Sequence, residues 1–314
     1  MEIVLNREEF SNGIKIVEKI TAQKAVQPIL SSILVETVSK DKVRFFATDL
    51  NLAIEYITTA EINKDGAITL NAKKISEIVS KLSSSDISLK TSEDSDNIKI
   101  KSGKTEFDLI SLKADEFPKV IEKNPQDEAK SIKINKNEFS RMIKQVVFAV
   151  SSQETQAVLT GVCFNIEANV LELASTDGNR LTRVRKNIEK FEESANFIVP
   201  AKTLIEVQRI SSLVNDEDIT LKIQKNKILF EFKELTFQSR LIDGIYPKYQ
   251  QLIPSNNDKK IIADRAELIN AIERVSIMVN DRTNVVKFNF KQATKYILGD
   301  KKLILKVAID RKSV

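Results

Sequence analysis

The sequence predicts an α+β protein of three tandem domains, of which the third is incomplete. The first observation behind this prediction is a repeated start: Leu5–Phe10, Ile134–Phe139 and Ala263–Leu268 share one pattern and begin 129 residues apart. A period that long indicates repeated domains, because solenoid repeats are much shorter. The second observation is that segments with helical spacing of apolar residues recur between strand-like segments in both complete copies.

The elements of the first copy are predicted as follows. We expect a strand at Glu2–Leu5, a helix with Phe10, Ile14, Val17 and Ile20 on one face, strands at Ser32–Thr37, Lys42–Thr48 and Ala67–Asn71, a helix at Lys73–Leu82, and strands at Ile87–Thr91, Ile98–Ser102 and Thr105–Ser111. Alternating or continuous apolar runs predict the strands, and spacings of three and four predict the helices. Two helices on one face of an antiparallel sheet make an α+β domain.

The second copy repeats this order. We expect a strand at Ser131–Ile134, a helix with Phe139, Ile143, Val146 and Val150 on one face, strands at Gly161–Ile166, Val170–Thr176 and Asn196–Pro200, a helix at Lys202–Leu213, and strands at Ile219–Ile223, Lys227–Lys233 and Leu235–Ile242. The two copies therefore predict one domain fold built twice.

Polar, turn-prone linkers separate the copies. Glu122–Ala129 and Ser255–Lys259 each precede a new opening strand, and such stretches are typical of loops. We therefore expect domains at 1–121, 130–254 and 260–314. After Phe290 the sequence departs from the repeat, so the second helix and last strands of the third domain are expected to be missing.

Composition argues against several classes of protein. The chain contains neither His nor Trp, which removes the commonest metal ligand and general base. Its one cysteine, Cys163, lies in an apolar run and is predicted to be a buried thiol. We predict a cytoplasmic protein, because no membrane span or signal peptide is found in the sequence. We also predict no catalytic residue, metal or cofactor.

Charge is informative only through its distribution. The net charge is +5, and the excess falls in the third copy, so overall basicity alone does not argue for nucleic-acid binding. The predicted helices nevertheless share cations off their apolar faces: Lys15 and Lys19, Lys74 and Lys81, Arg141 and Lys144, Lys202 and Arg209. A solvated surface is the ordinary interpretation of any one helix. Because all four helices carry Lys or Arg off their apolar faces, we expect a positive surface if the helices face a common centre.

Several stretches, taken in order, carry a family resemblance. They are Gln27–Leu34, Ala47–Leu50, Ser175–Leu181, Val199–Lys202, Asp243–Tyr249 and Asn284–Phe288. With these motifs the sequence resembles the bacterial DNA sliding clamps, the β subunits of the replicative DNA polymerase III. The resemblance implies a non-catalytic processivity factor, in which two three-domain crescents join head to tail as a homodimer and encircle duplex DNA.

The resemblance also implies three groups of site residues. Those expected to contact DNA without sequence preference are Lys24, Lys73, Arg141, Lys144, Gln153 and Lys202. Those expected to line a cleft for short linear motifs of polymerase, clamp loader and repair proteins are Leu159, Thr176, Gly178, Asn179, Arg180, Leu181, Pro247 and Leu252. Those expected at the dimer interface are Phe107, Ile277 and Met278. Phosphate contacts without base contacts suit a protein that slides.

Other interpretations of these residues stay open at this point. Leu159 and Leu252 are also compatible with ordinary core positions, and each lysine with a solvated surface. Thr48-Asp49 recurs as Thr176-Asp177, which indicates a turn cap rather than a catalytic carboxylate. Two alternatives to a ring-forming clamp remain: a monomeric relative that binds peptides without closing on DNA, and an enzyme of nucleic-acid metabolism, for which no nucleophile or phosphate loop is found.

Overall fold

A computed structural model describes residues 1–22, 27–91, 97–118, 121, 130–189, 191, 194–254, 262–277, 286–290 and 303–306. The first repeat contains two α-helices and nine strands in these residues. They are β1 (Glu2–Asn6), α1 (Arg7–Val17), β2 (Ser32–Ser39), β3 (Lys42–Thr48), β4 (Leu52–Thr59), β5 (Glu61–Lys64), β6 (Ala67–Asn71), α2 (Ala72–Val79), β7 (Asp86–Thr91), β8 (Asn97–Ser102) and β9 (Thr105–Ile110).

The second repeat has the same order without a counterpart of β5 among the described residues. Its elements are β10 (Lys130–Asn135), α3 (Lys136–Val146), β11 (Gly161–Glu167), β12 (Val170–Thr176), β13 (Leu181–Asn187), β14 (Ala195–Pro200), α4 (Ala201–Leu213), β15 (Asp218–Ile223), β16 (Lys227–Glu231) and β17 (Leu235–Arg240). Short 3₁₀ segments follow α1 and α3 at Glu18–Ile20 and Val147–Ala149. The predicted α+β class is confirmed.

Three strands were missing from the sequence prediction: β4, β5 and β13. β4 is buried over most of its length, so it lacks the alternation that marks a half-exposed strand. β13 reads LTRVRKN and is an edge strand with three basic side chains, a composition that protects an edge from further pairing. Neither strand shows a regular apolar–polar period.

Each complete repeat divides its strands between two sheets rather than placing them in one. The first repeat forms a five-stranded sheet in the order β5-β1-β7-β8-β9, and the second forms a four-stranded sheet in the order β13-β12-β11-β14. The remaining strands join in one eight-stranded sheet, β10-β15-β16-β17-β4-β3-β2-β6. Antiparallel pairing of β4 with β17, with Ile54 opposite Phe237, carries that sheet across the boundary between repeats.

The repeated start of each copy is a helix cap. The Asn6 side chain accepts a hydrogen bond from the Glu8 N–H at 2.8 Å, and Asn135 does the same for Asn137 at 3.1 Å. Asp264 caps the third start through the Glu267 N–H at 2.9 Å. Such caps pair the otherwise unsatisfied N–H groups of a first helical turn. Phe10 and Phe139 then lie buried in one continuous core.

The chain separates into two compact units, Met1–Lys248 and Tyr249–Val314. In the second unit the structure describes a 3₁₀ segment at Tyr249–Leu252, helix α5 (Arg265–Ser276), and the antiparallel pair β18 (Lys287–Phe290) and β19 (Leu303–Lys306). Within the described part of the chain, no helix has the length and apolar character needed to cross a membrane.

Candidate functional site

The loop between β12 and β13 forms a tightly bonded turn. The Thr176 hydroxyl donates to the Arg180 carbonyl at 2.7 Å and accepts from the Gly178 N–H at 3.0 Å. Asp177 Oδ1 accepts from the N–H groups of Asn179 and Arg180 at 2.9 and 3.0 Å. Both side chains thus form hydrogen bonds with backbone groups of their own turn, which confirms the predicted turn cap.

The first repeat builds the same turn between β3 and β4. Thr48 Oγ1 donates to the Leu52 carbonyl at 2.7 Å, and Asp49 Oδ1 accepts from the Leu52 N–H at 2.7 Å. The residue after the Asp has a positive φ in both turns: 76° at Leu50 and 90° at Gly178. The two turns thus share a backbone but expose different side chains.

Arg180 is held above this turn by two contacts. Its Nε donates to Asp177 Oδ2 at 3.0 Å, and its guanidinium carbon lies 5.7 Å from the centroid of the Phe148 ring. The backbone N–H groups of Asn179 and Arg180 are the main cause of a lowered pKa at the Asp177 carboxyl, because they stabilise its charged form. Asp177 therefore carries its negative charge beside Arg180 at neutral pH.

Tyr246 connects the turn to the segment that follows β17. The Thr176 N–H donates to the Tyr246 hydroxyl oxygen at 3.0 Å, and burial raises the pKa of Tyr246 to about 12. At Gly244 an added Cβ would lie 2.5 Å from the Val158 side chain. The 3₁₀ segment Glu154–Thr160, the Thr176 turn and the 244–247 segment therefore converge.

The structure brings seven of the eight predicted cleft residues into the unit Met1–Lys248. Thr176 is buried, Leu159 and Leu181 are half-buried, and the exposed members are Gly178, Asn179, Arg180 and Pro247. Leu252 is 71% exposed and belongs to the second unit. Sequence reasoning did not select Tyr246 or Phe148 for this site, although each stands in a stretch that the repeat makes prominent.

The predicted DNA contacts occupy exposed positions. Arg141 and Lys144 are three residues apart on α3, Lys73 is in the first turn of α2, and Gln153 precedes a 3₁₀ segment. Lys202 is exposed in the first turn of α4, where its Nζ lies 3.6 Å from Asp49 Oδ2 of the first repeat. Lys24 lies outside the described residues.

Arg209 differs from the other helix cations in its contacts. Its Nη1 and Nη2 donate to the carbonyls of Lys15 and Ile16, at 3.0 and 2.7 Å, and its Nε donates to Glu206 at 2.6 Å. These bonds tie α4 to the last turn of α1, where the helix dipole favours a cation. The expectation that Arg209 joins a free positive face is therefore wrong, because it is a link between repeats.

The candidate interface residues belong to different compact units of the chain. Phe107 is half-buried on β9 and packs against the core, whereas Ile110 of the same edge strand is 80% exposed. Ile277 follows α5 in the second unit and is 81% exposed. Met278 lies outside the described residues.

Family models of the DNA polymerase III beta subunit match nearly the whole chain. The N-terminal domain model matches residues 1–121, the central domain model 133–248, and the C-terminal domain model 250–305. The chain belongs to the DNA polymerase III beta subunit family.

Several curated and solved relatives carry the name sliding clamp. The beta sliding clamp of Bacillus subtilis (strain 168) is 34% identical over 304 residues, which cover 93% of this chain and 79% of the relative. A crystal structure of the DNA polymerase sliding clamp from Bacillus subtilis has a TM-score of 0.88, at 29% identity, over 98% of this chain and 83% of that one. The sliding clamp of Bartonella birtlesii bound to griselimycin has a TM-score of 0.86, at 31% identity, over 93% and 78%.

Proposed function

We propose that this chain is a sliding-clamp subunit that encircles duplex DNA in a head-to-tail ring and tethers the replicative polymerase for processive synthesis. The observation that carries the proposal is the match of all three clamp domains, in order, along one chain. The protein then works by topology: a closed ring cannot leave DNA sideways. No catalytic group or cofactor is needed, and the cytoplasm is the expected compartment.

The head-to-tail contact can be argued from the repeat. β17 closes the second repeat and pairs along β4 of the first. β9 is the corresponding last strand of the first repeat, and among the described residues its only sheet neighbour is β8. An unpaired edge is a template for another strand. We therefore propose that β9 receives a strand from the third domain of a second copy, which makes the ring a homodimer.

The cleft around the Thr176 turn is proposed to take short peptide motifs. Half-buried Leu159 and Leu181 supply an apolar floor, and the exposed Arg180 and Pro247 stand at its margin. Peptide sites of this kind combine apolar anchors with a few fixed polar groups. The clamp bound to griselimycin supports a ligand site on this fold, and polymerase, clamp loader and repair proteins are the partners proposed here.

DNA binding is proposed to rest on the exposed helix cations. Lys73, Arg141 and Lys144 lie beyond ion-pair distance of every carboxylate in the described part of the chain. They remain available for phosphates, whose neutralisation releases counterions without reading sequence. Lys24, Gln153 and Lys202 complete the proposed set.

Retention on circular DNA tests the proposal. The protein is loaded onto nicked circular DNA with its cognate loader, and the complex is then isolated and linearised. A closed ring stays on the circle and slides off after linearisation. Release from the intact circle, together with a monomeric native mass at micromolar concentration, would reject the closed ring and favour the alternative of a monomeric peptide-binding module.

A further inference from the structure

We propose that Phe148 is a positioning residue of the peptide cleft, which holds the Arg180 guanidinium in the orientation that meets a bound peptide. The inference rests on the proposed function, because it assumes that the Thr176 turn forms the peptide site. It assigns a task to an aromatic side chain that is 57% exposed at the end of a helix.

Arg180 is constrained from two directions. Asp177 Oδ2 accepts a hydrogen bond from its Nε at 3.0 Å, and the centroid of the Phe148 ring lies 5.7 Å from its guanidinium carbon. A cation within about 6 Å of a ring centroid is attracted by the ring's negative face. An exposed arginine otherwise samples many rotamers, and ordering it on binding reduces affinity.

The backbones that carry the two side chains are themselves joined. The Thr182 hydroxyl donates to the Gln145 carbonyl at 2.8 Å, and the Ser175 hydroxyl donates to the Val146 carbonyl. The end of α3 is therefore bonded to β12 and β13 on either side of the turn. Phe148 and Arg180 therefore extend from backbone segments that are hydrogen-bonded to each other, which suits a preorganised contact.

The first repeat shows that the fold does not need this pair. Phe148 is nine residues after Phe139, and the residue nine after Phe10 is Lys19, in the equivalent 3₁₀ segment. Arg180 is the fourth residue after Thr176, and the fourth after Thr48 is Leu52, which is buried. The same backbone thus forms without an aromatic residue and an arginine at these two positions. The first repeat has an arginine–phenylalanine contact between Arg44 and Phe46, but it lies at a different place, on β3.

Arg180 keeps donors for a ligand. In the described part of the chain, its Nη1 and Nη2 donate no hydrogen bond, since only its Nε and backbone groups are paired. These two NH₂ groups, held in one plane, suit a peptide carbonyl or a carboxylate. Phe148 would set the direction in which these groups point.

Two matched substitutions separate the ring's electrostatic role from its apolar area. Phe148→Tyr keeps the aromatic face, whereas Phe148→Leu keeps an apolar side chain without it. Griselimycin binding is measured by isothermal titration calorimetry on the full chain. We expect Phe148→Leu to weaken binding about two- to fivefold, and Phe148→Tyr to leave it within about twofold. Thermal unfolding should be the same for both variants.

Arg180→Met and the double variant complete the test. If Phe148 acts through Arg180, Phe148→Leu has no additional effect once Arg180 is Met. The inference would be overturned if Phe148→Tyr and Phe148→Leu weakened griselimycin binding equally, or if the effects of Phe148→Leu and Arg180→Met on binding were additive. It would also be overturned if Arg180→Met did not change binding. Leu181→Glu tests the cleft itself. If this variant binds griselimycin as the natural chain does, the cleft is rejected. If it abolishes binding while the Phe148 variants bind normally, only the inference about Phe148 is rejected.

Discussion

At the scale of single residues, Tyr246 shows how a side chain outside the predicted site supports it. The first repeat has Phe117 at the corresponding place, next to Pro118 as Tyr246 is next to Pro247. Both aromatic rings are buried, but only the tyrosine offers an oxygen to the backbone of the turn. The repeat that carries the proposed cleft therefore has a hydroxyl at this place, whereas the first repeat has none.

Tyr246→Phe is predicted to destabilise the chain. The Thr176 N–H would lose its 3.0 Å acceptor in a buried place, and an unpaired buried donor costs about 1–3 kcal/mol. Urea unfolding measures the change. The control is Tyr56→Phe, whose half-buried hydroxyl is 3.4 Å from Glu9; an equal loss in both variants would argue against a special role for Tyr246.

A pH dependence follows from the same group. Burial raises the pKa of Tyr246 from 10.0 to about 12, so the folded state prefers the neutral phenol. Its contribution to stability is complete below pH 10 and is lost as the pH rises toward 12. Unfolding free energies should fall more steeply over this range in the natural chain than in Tyr246→Phe. Cys163, whose pKa burial raises to about 11, also titrates over this range, and its charge adds to the raised pKa of Tyr246.

At the scale of elements, the two Thr-Asp turns form a natural comparison. Leu50 and Gly178 occupy the same left-handed position with φ of 76° and 90°. Only glycine adopts this region without a steric cost. The first repeat therefore tolerates strain that the second avoids.

Exchanging residue types at these turns should change stability in opposite directions. Leu50→Gly is expected to stabilise the chain by about 0.5 kcal/mol, since relief of strain exceeds the entropy cost of glycine. Gly178→Ala is expected to destabilise it by about 1–2 kcal/mol through conformation alone, because nothing lies within 4 Å of the added Cβ. Thermal unfolding of both variants measures this, and a same-sign shift would contradict the explanation.

The link between α4 and α1 gives a second prediction at this scale. Arg209→Ala removes two hydrogen bonds to α1 carbonyls, and we expect a loss of about 1–2 kcal/mol in unfolding free energy. Lys74→Ala, an exposed lysine on α2, should change it by less than about 0.5 kcal/mol. Similar values for both variants would show that the link contributes little.

At the scale of the whole molecule, the repeats are joined through strand edges. The eight-stranded sheet takes four strands from each repeat, so the boundary between them is a continuous hydrogen-bonded ladder. Helix cations such as Arg141 and Lys144 are mounted on this scaffold and stay exposed. A rigid frame with a positive helix surface is what sliding on phosphates requires.

The salt dependence of DNA binding tests that surface. Replacing Arg141 and Lys144 together by Gln should reduce the slope of log Kobs against log salt concentration by about two, since each phosphate contact contributes roughly 0.9. Lys225→Gln, at an exposed turn between β15 and β16, should leave the slope unchanged. A slope unaffected by the double variant would place the DNA contacts elsewhere.

The repeat, the α+β class and the helix starts could be predicted from the amino-acid pattern alone, because these depend on local periodicity and on caps such as Asn6 and Asn135. The motif stretches also led to the family. Periodicity did not reveal β4 and β13, since one strand is buried and the other is a charged edge.

The contacts between residues far apart in the sequence are visible only in the folded chain. In the fold, the strands of each repeat are divided between two sheets, and β4 pairs with β17. Arg209 links α4 to α1, and Tyr246 and Phe148 lie beside the Thr176 turn. Such contacts join residues far apart in the chain. Their partners are selected by packing and hydrogen-bond satisfaction across the whole fold, which no local pattern records.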